Sequence, residues 1–360
     1  FYIFWEMMLI PMYFIIGVWG GEDRVQAAVK FFIYTLVGSL LMLIAILYVY
    51  FKVGADTGTY SFLFADLFKV QLSYNEQFWL FLAFFLAFAI KVPMFPFHTW
   101  LPDAHVQAPT AGSVILAGVM LKFGTYGLVR FAYQMTPEAF AQAGQVILAF
   151  GVVSALYGAF AALAQSDLKK MIAYTSVNHM GYVVMGVAIA ALATEPRIRT
   201  IALDGATLQM VSHGLVTGAL FFLVGMLQDR AHTRGIGDFG GLLGRVPWLG
   251  WAFILSAFAS LGLPGLAHFP AEFQIFLATL NGMPWGLIAI LAIVITAALY
   301  LRAIAGVFLG EMNDKWADMP DLDRREKLVI LPLLVLTVLI GVAPGWLIDM
   351  IHTTMMGLGN

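Results

Sequence analysis

The chain has 360 residues, of which 61% are hydrophobic and only 11% are charged. This composition excludes an ordinary soluble domain, in which about half of the residues are apolar and about a quarter are charged, and it indicates a membrane protein. The formal net charge of -2 gives no basic field for nucleic acid, and the lack of cysteine excludes disulfides and cysteine-held metal or iron–sulfur centres.

Apolar segments recur along the whole chain and are separated by short polar loops. Since about 20 apolar residues are needed to cross about 30 Å of hydrocarbon, the pattern predicts some ten membrane spans. They lie near residues 1–20, 31–52, 77–105, 110–134, 139–164, 169–193, 203–228, 247–280, 284–310 and 328–350. The predicted fold class is therefore an all-α, polytopic membrane helix bundle.

Basic residues are distributed unequally between the loops on the two sides of the membrane. One side has Arg24, Lys30, Lys169, Lys170, Arg230, Arg234, Arg245, Lys315, Arg324, Arg325 and Lys327; the other has Lys52, Lys69, Arg130, Arg197 and Arg199. The first side is cytoplasmic by the positive-inside rule, so both ends, Phe1 and Asn360, are expected outside. Phe1 opens directly onto an apolar run without the basic flank of a signal peptide, and the sequence is expected to begin partway through a longer chain.

The third and eighth predicted spans are interrupted. KVPMFPFHTWLP breaks the third between Lys91 and Pro102, and GLPGLAHFP breaks the eighth between Gly262 and Pro270. Because proline removes a helical hydrogen bond, each span is predicted to be two half-helices joined by irregular backbone, which protein or water must satisfy. The breaks lie five crossings apart and so run in opposite directions, which favours inverted repeats around a transport path. The alternative is that the prolines merely bend packed helices.

The predicted organisation follows from these breaks. Residues 1–134 form a first inverted repeat that is incomplete at its N-terminus, and residues 139–310 form a second. Residues 311–327 are predicted to be a charged cytoplasmic loop, and residues 328–360 a C-terminal helix and tail.

Ionisable side chains inside the predicted spans are the candidates for chemistry. A charge at mid-bilayer costs roughly 2.5 to 3.5 kcal/mol, so such residues are rare and usually functional. A buried lysine holds its proton more tightly when a carboxylate is near, and histidine, which titrates near neutrality, is suited to passing that proton on. Internal salt bridges and histidines satisfied by backbone are the structural alternatives. The candidates for proton translocation are Glu6, Lys91, Lys122 and Glu272, and the candidate relay histidines are His98, His179 and His213.

Two further patterns predict structure rather than chemistry. The segment GIGDFG, residues 235–240, matches G-x-G-x-x-G, but no strand precedes it, so no dinucleotide site is predicted. The spacing of Gly214 and Gly218 predicts close packing of helices. No metal site is predicted, because His98 and His105 straddle a proline and lack identifiable partner ligands.

The stretch KVPMFPFHTWLPDAHVQAPTAGSVILAGVMLKFGTYGLVRF, residues 91–131, resembles the antiporter-like subunits of proton-pumping NADH:quinone oxidoreductase, respiratory complex I. DLKKMIAYTSVNHMGYV at 167–183 and GLPG at 262–265 show the same resemblance, which covers essentially the whole chain. The superfamily also includes subunits of multisubunit sodium/proton antiporters and of membrane-bound hydrogenases. A glutamate in the second broken helix, Glu272, resembles the chain M (subunit 4) type.

The resemblance implies a family fold of fourteen helices with inverted five-helix repeats, and hence four helices before Phe1. It implies that Glu6 and Lys91 form a coupled pair, that Lys122 is the central relay residue and that Glu272 is the outlet toward the periplasm, with His98, His179 and His213 along a hydrated axis.

The resemblance also implies an assembly. The chain would lie in the bacterial inner membrane as a subunit of an enzyme, beside other antiporter-like subunits, the lateral helix of the chain L type subunit, and lipids. It would carry no cofactor, since NADH, FMN, iron–sulfur clusters and quinone would belong to partner subunits. The alternatives are a subunit of a sodium/proton antiporter, a passive membrane scaffold, and a membrane enzyme with its own metal.

Two departures from the family pattern stand out. The usual small-residue turn after GLPG is here LAHFPAEF, which makes His268 an unfamiliar neighbour for Glu272. Lys91 precedes Pro93 by two residues, whereas Glu272 follows Pro270 by two.

Overall fold

The computed structural model describes residues 1–356, which form helices joined by loops. The N-terminal helices are α1 (Tyr2–Trp19), α2 (Arg24–Thr57), α3 (Phe64–Leu67), α4 (Tyr74–Lys91) and α5 (Trp100–Gln107). A continuous rod follows, made of α6 (Thr110–Ile115), a first π-helical stretch (Leu116–Met120), α7 (Leu121–Gly127) and a second π-helical stretch (Leu128–Tyr133). The remaining helices are α8 (Pro137–Leu163), α9 (Leu168–Leu192), α10 (Pro196–Ala231), α11 (Pro247–Leu261), α12 (His268–Gly282), a 3-10 turn (Pro284–Ile290) leading into α13 (Leu291–Phe308), α14 (Arg324–Val342) and α15 (Gly345–Met356).

Seven of the described helical segments are long and apolar enough to cross a membrane. They are α1, α2, the rod from α6 to the second π-helical stretch, α8, α9, α10, and the 3-10 turn with α13. The remaining three predicted spans correspond to α4 with α5, to α11 with α12, and to α14. Each predicted span therefore coincides with a helix or with a pair of half-helices, and the all-α membrane fold is confirmed.

The predicted end of the last span was wrong. The span was expected to run to residue 350, but α14 ends at Val342 and α15 turns away from it by 76°. Pro344 is the physical cause, because a proline disfavours helical geometry in the residue before it, and Ala343 has φ -132 and ψ 65. Asn360, which was expected outside, lies beyond the described residues.

Local sequence signals explain where several helices start. Ser73 and Glu76 form a capping box at the start of α4, and Asp323 and Glu326 form another at the start of α14. The side chain of Asp167 accepts a hydrogen bond from the backbone of Lys170 at 2.9 Å and caps α9. Proline occupies the first turn of α8, α10 and α11, where its missing N–H costs nothing.

The first break was predicted one turn too long. It was expected to end at Pro102, but α5 starts at Trp100, so this proline lies in the first turn of a helix, where proline is tolerated. The break is satisfied by protein groups, as expected. The indole of Trp100 donates to the carbonyl of Ile90 at 2.8 Å, and Ser154 of α8 accepts from the backbone of Phe95 at 2.9 Å.

The second break was also predicted too long. It was expected to reach Pro270, but α12 starts at His268, so both residues lie in the first turn of the second half-helix. Gly262 and Gly265, with φ of +82 and +90, make the reversal possible. Ser212 of α10 donates to the carbonyl of Ala267 at 2.8 Å. Both breaks therefore lie against intact helices, as irregular backbone inside a membrane requires.

Helix α9 lies at the centre of the bundle. Nearly all its residues up to Ala190 are buried, and α8, α10 and α12 pack around it. Helices α1 and α2 expose much more of their surface, as do α13 and α14. The polar residues of α9 and α10 thus point into a region enclosed by protein.

Candidate functional site

Lys122 lies in the middle of the fourth span and is held by two acceptors. Its Nζ donates to the carbonyl of Ala117 at 2.5 Å and lies 2.6 Å from Nδ1 of His213. Ala117 belongs to the first π-helical stretch, in which the regular hydrogen-bond pattern changes and carbonyls become available to side chains. The π-helical geometry, which was not predicted from the sequence, thus supplies a hydrogen-bond acceptor for the lysine.

A glycine pair brings α10 against this π-helical stretch. A Cβ added to Gly214 would lie 2.9 Å from the carbonyl oxygen of Gly118, so the two backbones are as close as glycine permits. Small residues allow such approaches between membrane helices. The predicted close packing at Gly214 is confirmed, and its consequence is that the neighbouring His213 reaches Lys122.

Three histidines from three elements lie next to one another beyond Lys122. The rings of His179 on α9 and His213 on α10 are 5.7 Å apart between centroids. His268, in the first turn of α12, lies 4.5 Å from His179 and 6.3 Å from His213. All three side chains are buried. The structure therefore brings together two of the three predicted relay histidines and adds the one that departs from the family pattern.

Glu272 closes the cluster on the side of α12. Its Oε1 lies 3.5 Å from Nδ1 of His179 and 3.9 Å from Nδ1 of His268. Gln209, one helical turn before His213 on α10, donates to the same oxygen at 3.4 Å. Lys122, His213, His179 and Glu272 thus form one line of ionisable groups that runs from the fourth span to the second broken helix, and all of them are buried except Lys122, which is partly buried.

Uncharged groups orient His179 from its other side. Nε2 of His179 lies 3.0 Å from Oγ of Ser260, which in turn accepts from the hydroxyl of Tyr300 at 2.8 Å. When Nε2–H donates to this serine, Nδ1 carries the lone pair and faces Glu272. Gln209, Ser260 and Tyr300 were missed by the sequence analysis. Only Gln209 carried a signal there, its spacing of four residues from His213.

Lys91 and Glu6 form a separate site at the end of the first half-helix. Lys91 is fully buried, and its Nζ lies 5.3 Å from the ring centre of Trp5 and 5.5 Å from that of Phe31. Within residues 1–356, no ion pair closer than 4.0 Å joins Lys91 to Glu6, and neither Nζ of the lysine nor Oε1 of the glutamate has a hydrogen-bond partner. The two residues are neighbours held apart, not a closed salt bridge.

His98 lies inside the first break and not in the cluster around His179. Its ring is 4.8 Å from that of Tyr157 and 6.2 Å from that of Tyr174. Another histidine that was not a candidate, His105 on α5, is fully buried and stacks on Phe221 with ring centres 4.5 Å apart. The predicted relay residues therefore fall into a compact group around Glu272 and a separate group around the first break.

The group around Glu272 also contains a set of side chains that could bind a metal ion. One ligand atom from each of His179, His268 and Glu272 lies within 4.8 Å of the other two, and all three residues are buried. Two imidazoles and one carboxylate are a set that zinc accepts.

Comparison with known proteins places the chain in a family. A family model described as NADH:quinone oxidoreductase/Mrp antiporter, transmembrane, matches residues 1–299. NADH-quinone oxidoreductase subunit M of Rhodobacter capsulatus is 44% identical over 360 residues, which are 98% of this chain and 69% of the relative. NADH-quinone oxidoreductase subunit M of Escherichia coli strain K12 is 40% identical over 368 residues, which are 100% of this chain and 70% of the relative.

Solved structures show the same relationship. Respiratory complex I from Thermus thermophilus with bound NADH contains a chain that superimposes with a TM-score of 0.90 at 35% identity, covering 99% of this chain and 74% of that one. The Mrp complex from Dietzia sp. DQ12-45-1b gives a TM-score of 0.83 at 22% identity over 100% of this chain and 71% of that one, a likeness of fold alone.

Proposed function

Because this chain belongs to the NADH:quinone oxidoreductase/Mrp antiporter family of transmembrane proteins, we propose that it is the proton-translocating M-type subunit in the membrane arm of an NADH:quinone oxidoreductase. The observation that carries the proposal is the line of Lys122, His213, His179 and Glu272 within the membrane-spanning helices. Soluble redox chemistry needs no such line, whereas proton transfer through a membrane needs ionisable groups at depth.

The relay begins at Lys122. Its ammonium group gives a proton to Nδ1 of His213, 2.6 Å away, and the carbonyl of Ala117 keeps the amine in place. The resulting imidazolium releases the proton from Nε2, which is buried and has no partner among the described residues, so a water molecule is expected to take it on toward His179. His179 passes the proton to Glu272 across the 3.5 Å contact.

Glu272 is the outlet. Helix α12 leads from the second break toward the side on which α10 begins, and this side is periplasmic by the distribution of basic residues in the loops. Lys91 and Glu6 are the pair that responds to the neighbouring subunit, since they are close enough to interact without being joined. His98 supplies protons at the first break. In this arrangement the ends of the chain lie on the periplasmic side of the bacterial inner membrane.

Two inverted repeats, residues 1–134 and 139–310, organise these residues. What supports this division is the position of the prolines, because Pro102 and Pro270 are each the third residue of a second half-helix. The functional residues are not equivalent, since Lys91 ends a first half-helix and Glu272 lies within a second one.

Redox chemistry belongs to other subunits of the complex. NADH, FMN, the iron–sulfur clusters and quinone bind there, and this chain receives the energy of electron transfer through its neighbours in the membrane arm. Those neighbours are further antiporter-like subunits, the lateral helix of the L-type subunit, and lipids.

Replacing Lys122 by alanine tests the relay. The change should lower proton pumping and coupled NADH oxidation together by about tenfold or more in membrane vesicles, because the proton path loses its central donor. Both rates are measured side by side on full-length, assembled complex. Lys69→Ala is the matched control, since the side chain of this lysine is 75% exposed, and it should leave both rates unchanged.

Retention of full pumping by the assembled Lys122→Ala complex would show that the lysine is structural. The description of the family also names Mrp antiporters, which makes a sodium/proton antiporter subunit the second candidate. Replacing sodium by potassium in the assay separates the two functions, because only the second requires sodium.

A further inference from the structure

We propose that His179, His268 and Glu272 form a binding site for one transition-metal cation of the Zn²⁺ type, and that the bound ion blocks the proton relay. The binding site stands on its own geometry, whereas the block rests on the proposed function. His268 is not a member of the relay described above, yet it completes the donor set.

The spacing of the donors fits a zinc ion after small movements. With bonds of about 2.0 to 2.2 Å and tetrahedral angles, ligand atoms around zinc lie about 3.4 Å apart. Nδ1 of His179 and Oε1 of Glu272 are already 3.5 Å apart, and Nδ1 of His268 is 3.9 Å from the same oxygen. All three donors lie within 4.8 Å of one another, so rotations of the side chains bring them to bonding distance.

The surroundings orient the donors as a metal site requires. The hydrogen bond of His179 Nε2 to Ser260, itself fixed by Tyr300, leaves Nδ1 free to bind a cation. On the other side, a Cβ at Gly262 would lie 2.4 Å from Oε2 of Glu272, so glycine leaves room for the carboxylate. Nδ1 of His179 is buried without a hydrogen-bond partner among the described residues. Nδ1 of His268, the nitrogen 3.9 Å from Glu272, lies 3.4 Å from the carbonyl oxygen of Ser260, a contact that it gives up when it binds a cation.

The donor set selects the kind of ion. Imidazole nitrogens favour zinc, copper and nickel, whereas magnesium and calcium prefer oxygen ligands. A bound ion would hold the imidazole of His179 and the carboxylate of Glu272 in their deprotonated forms, so neither could accept the next proton. Binding therefore displaces protons and interrupts the last step of the relay.

Zinc titration of the purified full complex tests the site. We expect zinc chloride to bind and to inhibit proton pumping, and His268→Gln to raise the zinc concentration for half-saturation about tenfold or more while pumping without zinc is unchanged. Binding is followed by calorimetry, separately from activity. His232→Gln, at an exposed histidine that ends α10, is the control and should bind zinc as the unchanged protein does.

A second variant covers the case in which His268→Gln fails to assemble. Since the chain contains no cysteine, His268→Cys introduces a single thiolate, which should keep the site and favour the softer Cd²⁺ over Zn²⁺. Equal zinc affinity in unchanged and His268→Gln complexes would overturn the site, whatever Lys122→Ala shows. Zinc binding that depends on His268 but leaves pumping intact would confirm the site and overturn the block.

Discussion

Lys122 is partly buried and has neutral partners only. Its Nζ contacts a backbone carbonyl and an imidazole, while Lys30, another partly buried lysine, pairs with a carboxylate, that of Asp103 at 2.7 Å. An ammonium at membrane depth without a fixed counter-ion is costly, so its proton is available to a neighbouring base. The nature of these partners therefore suits a residue that transfers protons and does not merely tie helices together.

The position of Gly262 beside Glu272 allows a test that leaves every ionisable group in place. Gly262→Ala puts a Cβ 2.4 Å from the carboxylate and forces alanine to a φ of +82, which costs about 1 to 2 kcal/mol. We expect Glu272 to be displaced and proton pumping to fall severalfold in assembled complex. The measurement is the pumping rate per assembled complex in vesicles.

Gly237→Ala is the control for this variant, because no atom lies within 4 Å of a Cβ at that position. Unchanged pumping by Gly262→Ala, with normal stability, would argue against a role for the present position of Glu272.

The sequence predicted the charged residues of the site better than their polar neighbours. Lys122 and Glu272 stand out because charge inside an apolar span is rare. Ser260 and Tyr300 do not, since serine and tyrosine occur on many helices and only the three-dimensional packing shows that they contact His179. The division of the candidate residues into two groups was also not predicted, because the sequence contains no information on the distance between His98 and the cluster around Glu272.

At the scale of helices, the contact between α10 and the first π-helical stretch positions His213 beside Lys122 in the proposed relay. Gly118 and Gly214 let the backbones meet, and His213, the residue before Gly214, then contacts Lys122. At the same depth in the membrane, the π-helical stretch leaves the carbonyl of Ala117 available to the side chain of Lys122. One glycine pair thus sets the distance between two ionisable side chains on different elements.

Gly214→Ala tests this contact. A Cβ there would lie 2.9 Å from a backbone oxygen, so α10 must shift, at a cost of about 1 to 3 kcal/mol. We expect a lower thermal stability and slower proton pumping. Gly218→Ala, one turn away on the same helix, meets its nearest atom at 3.8 Å and should be tolerated. Equal stability and pumping in the two variants would show that the glycine contact does not position the relay.

The half-helices were predicted correctly in number but not in their exact ends. Both breaks were predicted from the prolines, and both are present in the structure. Their ends were misplaced because proline is tolerated in the first turn of a helix, so Pro102 and Pro270 follow the restart of the helix and do not precede it. The turn at Pro344 was missed because α15 continues the apolar pattern.

At the scale of the whole chain, the predicted loop 311–327 ends earlier than expected, because α14 begins at Arg324. The segment before α14 connects three helices on the side that carries most basic residues. Arg230 at the end of α10 contacts Glu326 of α14 at 2.5 Å and the carbonyl of Asp321 at 3.1 Å. The carboxylate of Asp321 accepts from the backbones of Trp248 and Leu249 at the start of α11. The sequence analysis described this loop only as charged, because contacts made by loops leave no periodic pattern.

Asp321→Ala should loosen this junction. The first turn of α11 loses its acceptor, which costs about 0.5 to 2 kcal/mol, as for a helix cap. We expect the complex to lose this subunit at a lower temperature, measured by heating the purified complex and analysing what remains assembled. The exposed Asp318 provides the control Asp318→Ala. Identical melting of the two variants would contradict a structural role for the loop.

Helix α10 has 36 residues and therefore measures about 54 Å, against about 30 Å of hydrocarbon. A helix that exceeds the membrane in this way must tilt or extend beyond it, and its tilt follows the thickness of the bilayer. Gln209 and His213 both belong to α10, so we expect the geometry of the proposed relay to depend on the lipids as well as on the protein. Since acyl-chain length determines the thickness of the bilayer, we expect it to change the tilt of α10 and, with it, the rate of proton transfer.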